Sequence, residues 1–191
     1  MGHIHPAEPA KLIVGMLSAF PNAFDAARDA LIRHYGPVDI ESDPIPFTFT
    51  SYYEQEMGPN LLRKFLAFER PIDPGILADV KLLTNRLEGE LAPAITSAVP
   101  RPINLDPGYI TPAKLVLAST KDFSHRIYLR DGIYAEVTLH YEKGGTFRGW
   151  PWTFPDFKTN PEYHAFLLQV RKRCMEREKK ERREEDKKAR S

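Results

Sequence analysis

The stretch ASTKDFSHRIYLRDGIYAEVTLHY, residues 118–141, decides how the rest of the chain is read. Its apolar residues alternate, and Asp131-Gly132 offers the two-residue turn of a tight hairpin. With that turn, Arg130 faces Ile133, Tyr128 faces Ala135 and Arg126 faces Val137, all on one side of the sheet. The other side then gathers His125, Ile127, Leu129, Tyr134, Glu136, Thr138 and His140. A surface hairpin has no need to collect two imidazoles and a carboxylate among its apolar residues. A carboxylate beside an imidazole can fix its tautomer and favour its charged form, which suits acid–base chemistry or anion binding. The competing outcome is a buried His–Glu pair that satisfies only itself. His125 and Glu136 are therefore the catalytic candidates, and Lys121, His125, Arg126, Glu136 and His140 the ligand-binding ones. The register puts Arg126 on the opposite face, in tension with that assignment. Upstream, NLDPGYITP reads as a Pro-Gly turn holding Asp106 and Tyr109, either a plain turn or one that aims the Asp106 carboxylate at a ligand.

Working outward, KLIVGMLSAF reads as a buried strand. Phe24, Ala27, Leu31 and Tyr35 recur at helical spacing, with Asn22 as a cap and Gly36 as the stop. VDIES is a second strand, and Pro44 and Pro46 keep the following path off any inner strand. Ser51 and Glu54 have the spacing of a reciprocal cap for a short helix ended by Gly58. LLRKFLAFE reads as a strand. DPGILADVKLLTNRLEGELA is the clearest helix, capped by Asp73 and striped by Ile76, Val80, Leu83 and Leu87. The four-proline stretch PAITSAVPRPINLDPGY reads as irregular, TPAKLVLAST as a short helix with a strand as the other option, and GTFRGWPWTFPDF as an irregular flap. A last helix starts at Asn160-Pro161, and its apolar stripe stops at Met175.

These elements make an α+β fold: one domain over residues 10–173 with an antiparallel or mixed sheet, possible in a ferredoxin-like order, between a leader (1–9) and a charged tail (174–191). The chain of 191 residues is 42% hydrophobic, enough for an ordinary core. Residues 171–191 hold eleven Lys/Arg against six Asp/Glu, so the overall +1 divides into +5 there and −4 elsewhere. An acidic body argues against a nucleic-acid surface outside the tail. Cys174 is the single cysteine, which excludes an internal disulfide and favours a reducing, cytoplasmic setting. No apolar run approaches the ~20 residues of a membrane span. His3 and His5 form an H-x-H pair in what reads as a disordered leader, so no metal site is expected there.

Phosphate-loop, dinucleotide, zinc-protease and nucleophile-elbow motifs are all missing. STKD (119–122) comes near the T-K-x-D pattern that reads guanine, with Asp122 one position early. The strings STKDFSHRIYL and NLDPGY, with PFTFTSYYEQEMG, FERPIDP and PWTFPDF, resemble a prokaryotic family known as domain of unknown function 4416, over nearly all of residues 10–173. That resemblance implies a small cytoplasmic single-domain protein and no particular reaction, catalytic residue or cofactor; some members carry a GTP-binding label. The expected function is binding, with turnover an option, of a small anionic ligand, phosphorylated or a nucleotide. Lys121 and Arg126 would neutralise its charge, His125 would donate a proton and Glu136 would orient it. The alternative is a non-enzymatic scaffold or RNA-associated protein using the tail and the Trp150/Trp152 segment.

Overall fold

β1 (Ala10–Ser18) is buried along its whole length, which requires a layer on each of its faces. In the computed structural model, which describes residues 2–189, it lies inside one antiparallel sheet. The chain runs on through α1 (Pro21–Tyr35), β2 (Val38–Glu41), the two-residue β3 (Ile45–Pro46), α2 (Glu54–Met57) and β4 (Leu62–Ile72). Then come α3 (Leu77–Leu91), β5 (Asn104–Ile110), β6 (Lys114–Ser119), β7 (Ile127–Arg130), β8 (Ile133–Glu142) and β9 (Thr146–Gly149). α4 (Pro155–Thr159) and α5 (Pro161–Ala189) finish it.

Leu12, Val14 and Met16 face α1 and α3, packing on Phe24, Leu31, Val80 and Leu87. On the other face Ile13, Phe65 and Ala67 meet Phe157 of α4 and Tyr163, Phe166, Leu167 and Val170 of α5. The result is an α+β domain of three layers. Its first half, β1-α1-β2-β4-α3-β5, has the spatial order β2-β4-β1-β5 with both helices on one face, the ferredoxin-like arrangement. β6, β8 and β7 extend that sheet beyond β5, and β9 pairs with β8.

Several local expectations are corrected. NLDPGY is no turn: Asn104–Ile110 is an inner strand, paired with β1 along its length. Pro107 survives there because backbone N–H groups alternate in direction along a strand. Thr111 N donates to Lys114 O across the β5–β6 turn, so the nitrogens of Tyr109 and Pro107 also point towards β6. Pairing with β6 reaches Gly108 and ends there. TPAKLVLAST is no helix either; Thr111 and Pro112 form the turn, and β6 is a strand between β5 and β8. The aromatic flap begins as β9 and ends as α4. Asn22 does not cap α1, whose first turn is occupied by Pro21 with Phe20 at the cap position. Ser51 offers its carbonyl, not its hydroxyl, to Glu54 N, so the reciprocal cap does not form.

The hairpin turn is as read: Asp131 and Gly132 have φ of 53° and 75°, the left-handed pair a tight turn of this kind needs. The register beyond it differs. Arg130 pairs with Ile133, but Tyr128 pairs with Tyr134 and Ile127 with Ala135, so Leu129 is an extra residue bulged out of β7. α5 continues as one helix to Ala189, and among the described residues its last fully buried one is Cys174. No helix among the described residues is long and apolar enough to cross a membrane.

Gly108 carries a sharp steric demand. A Cβ there would collide with the Val116 carbonyl and the Leu117 side chain, one of them backbone that cannot step aside. Gly108→Ala should cost about 2–3 kcal/mol in urea unfolding, as an overpacked site does. A loss under about 0.5 kcal/mol, within the ordinary range of surface substitutions, would show that β5 and β6 separate freely.

Candidate functional site

Where β5 and β6 part, the sheet opens. Their pairing covers Gly108–Ile110 against Leu115–Leu117, whereas β1 and β5 stay paired down to Asn104. Leu105 lies two residues before Pro107, so its backbone groups also point into the gap, and α3 takes both. Leu105 N donates to Glu88 Oε1 at 2.7 Å, and Lys81 Nζ donates to Leu105 O at 2.8 Å. Two side chains of a helix thus stand in for a missing strand.

A cleft of about 780 Å³ occupies this end of the sheet. Its floor is ionic. Arg63 Nη1 donates to Asp106 Oδ2 at 3.0 Å, and Arg63 Nη2 lies 4.0 Å from Asp156 Oδ2. Asn104 Nδ2 donates to Asp106 Oδ2 at 2.7 Å, and Lys81 Nζ stands 3.7 Å from Oδ1. Arg101 Nη2 donates to Glu88 Oε2 at 3.0 Å and also to Asn104 Oδ1. Burial would raise the Asp106 carboxyl, but Lys81 and Arg63, with hydrogen bonds from Arg63 and Asn104, outweigh it and hold the group below its ordinary value. Burial wins at Glu88, raised despite Lys81 and Arg101, and at Asp156, raised despite Arg63. One cleft therefore holds a carboxylate kept ionised and two that resist ionisation.

One wall belongs to the hairpin entrance. Arg126 Nε donates to Glu136 Oε2 at 2.7 Å, with both side chains only 4% exposed. Arg126 Nη1 donates to Ser119 Oγ at 2.6 Å and to Lys121 O at 3.0 Å, folding segment 119–126 around itself. His125 Nε2 reaches the same Glu136 oxygen at 3.2 Å, and Thr138 Oγ1 donates to Oε1 at 3.2 Å. Both Glu136 oxygens are spent within the protein.

Of the residues singled out by sequence, Lys121, Arg126, Glu136 and Asp106 line the cleft. The register expectation that set Arg126 apart is overturned: β7 begins only at Ile127, and its bulge and the turn before it bring Arg126 and His125 to one carboxylate. His125 does not line the cleft, and its ring stacks on Trp152 with centroids 5.6 Å apart. His140 is drawn away to Trp150 at 4.5 Å, with Nε2 3.4 Å from Glu142. Tyr109 packs with Leu77, Ala78 and Val116 beneath α3, because residues 106 and 109 of one strand face opposite sides. Among the described residues no cluster of three metal-ligating side chains occurs.

Arg63, Lys81, Glu88, Arg101 and Asp156 were not anticipated. Two had a signal in the sequence. Arg63 shares strand parity with the inward-facing Phe65 and Ala67, and Lys81 sits four residues after Leu77 on the buried side of α3.

A family model described as a domain of unknown function, DUF4416, matches residues 8–174. No curated protein and no solved structure matches the chain.

Two outcomes follow from the ion pairs. Glu136→Ala strands the buried Arg126 guanidinium and should destabilise the fold by about 3–5 kcal/mol in chemical denaturation. A loss below about 1 kcal/mol would mean that the pair behaves as an exposed one. Asp106, held below its ordinary value of 3.8, contributes stability that is present above that pH and lost as the pH falls through its folded value. Asp106→Asn should therefore shrink the stability gained between about pH 2 and pH 5. An unchanged acid limb would show that Asp106 titrates alike in the folded and unfolded chain.

Proposed function

We propose that this chain, which belongs to the DUF4416 family, uses the cleft at the open end of its sheet to bind a small anionic ligand, phosphorylated or a nucleotide. The observation that carries this is the state of two lysines. Lys81 is 5% exposed and lines the cleft, yet among the described residues its ammonium makes a single hydrogen bond, to Leu105 O, with Asp106 Oδ1 further off at 3.7 Å. A lysine has three N–H donors, so two remain for an acceptor in the cleft. Lys121 lines the same space and, among the described residues, has no carboxylate within salt-bridge reach. Arg63, Arg101 and Arg126 each hydrogen-bond directly to an Asp or Glu, whereas Lys81 has only the longer 3.7 Å approach to Asp106. Five cations against four carboxylates leave a formal excess of +1, larger when Glu88 or Asp156 is protonated. The cleft also has the size of a small-molecule site. A cytoplasmic setting suits the single cysteine, Cys174, which is free and buried.

Ligand-dependent stabilisation tests this reading. Pyrophosphate, ribose 5-phosphate and nucleoside mono- and diphosphates should be screened for a rise in melting temperature, which tight binding to the folded state must produce. Lys121→Ala should remove most of the rise and leave the unliganded melting temperature nearly unchanged, because the Tyr52 ring that its ammonium approaches is itself exposed. Lys81→Met should remove the rise and also lower the unliganded value, since Leu105 O loses its donor. No rise with any of these anions, or a full rise in both variants, would sink the proposal.

A further inference from the structure

Aromatic rings meet two different fates around this site. Trp150 and Trp152 stack on each other at 5.7 Å and 9°, and Trp152 stacks on His125, so their faces are used inside the protein. Phe49, Tyr52, Phe123 and Phe154 all line the cleft and stay 38%, 73%, 45% and 46% exposed. They come from three separate segments and ring the mouth. None of the four has a parallel stacking partner among the described residues: Phe49 meets Phe47 tilted, Tyr52 meets Tyr53 edge-on, and Phe123 meets His125 tilted. Exposed apolar surface gathered at one place marks a contact site more often than chance placement.

Cations accompany two of these rings. Lys121 Nζ lies 5.9 Å from the Tyr52 ring centre, and Arg126 Cζ lies 4.6 Å from that of Phe123. With a cation over one face of each ring, the opposite face and the nearby charge suit a ligand that carries both a flat ring and an acidic group.

We propose, resting on the anion-binding reading above, that the ligand carries a planar aromatic or heteroaromatic ring, held by Tyr52 and Phe123 at the mouth while its acidic group points to the cleft lysines. Its chemical class is a phosphate monoester that also carries an aromatic or heteroaromatic ring. A nucleoside monophosphate and a simple aryl phosphate share that chemistry.

Calorimetric titration with four probes separates the cases: adenosine monophosphate, guanosine monophosphate, phenyl phosphate and ribose 5-phosphate. The ring-bearing probes should bind about ten-fold tighter than ribose 5-phosphate, the scale of one stacking contact. Tyr52→Ala and Phe123→Ala should each weaken them roughly ten-fold and leave ribose 5-phosphate unchanged, with Tyr52→Trp restoring affinity. Both side chains are exposed, so unchanged melting temperatures should accompany the losses. Nucleoside monophosphates binding more tightly than phenyl phosphate would assign the ring to a base, and the reverse order to a simple arene; either supports the ring. Ribose 5-phosphate binding as tightly as the others, or variants without effect, would overturn the ring requirement and leave anion binding standing. No binding of any probe would overturn both.

Discussion

Pro107 lacks the N–H that β6 would need, and the cleft exists because of that lack. An antiparallel ladder continues while each strand supplies donor and acceptor to its neighbour. Counting back from Thr111 and Tyr109, the next donor owed to β6 falls on residue 107, and proline has none. The glycine at 108 makes the separation abrupt, because its missing Cβ lets the β6 backbone approach closely at the last rung. Beyond it the strands diverge. Leu105 would be left with an unpaired donor and acceptor in a partly buried place, a cost of about 1–3 kcal/mol for each group. Glu88 and Lys81 remove that cost. A polar pair on the buried side of α3 is thus explained by backbone groups that the sheet itself abandons.

The same two side chains then bring charge into the interior, and the rest of the floor compensates. Lys81 draws Asp106, which draws Arg63, which draws Asp156. Such chains are poor sources of stability, since apolar residues of similar volume often do as well or better. The cluster lies against an open cleft, where charged groups keep contact with whatever enters. The hairpin pair behaves differently. Arg126 and Glu136 are almost fully buried, and the guanidinium's remaining contacts, to Ser119 and Lys121, shape the segment that carries Lys121. Their role lies in positioning that loop.

How much of this was legible in the sequence follows from the range of the interactions. Local signals were readable: the Asp131-Gly132 turn, the Asp73 and Asn160 caps, the stripes of α1 and α3, and the strands KLIVG and LLRKFLAFE. Residues 104–119 were not, since Pro-Gly and Thr-Pro carry strong turn and helix-start preferences that a long pairing with β1 overrides. The convergence of His125 and Glu136 was legible; the partners of Arg126 and His140 were not. A single bulged residue, Leu129, changes the side to which everything before it points. Arg63 and Lys81 left the clearest unused sign, a charge at a position whose spacing belongs to the core.

The tail shows the complementary limit, a helix without a face. Up to Cys174, α5 is held by burial: Tyr163, Phe166, Leu167 and Val170 close the second core. After it no apolar stripe remains, yet the backbone stays helical to Ala189. The residues there are mostly Glu, Lys and Arg, strong helix formers. Glu178–Arg182, Arg177–Glu181 and Lys180–Glu184 pair one turn apart, each contributing about 0.3–0.5 kcal/mol. A contact distant in sequence ties the start of the tail down, Arg177 Nη2 donating to Pro9 O at 2.6 Å. The family match ends at residue 174, the last fully buried one among the described residues of this helix. The boundary between the two halves of α5 is therefore energetic: tertiary packing holds the first, and local propensity and screened ion pairs hold the second.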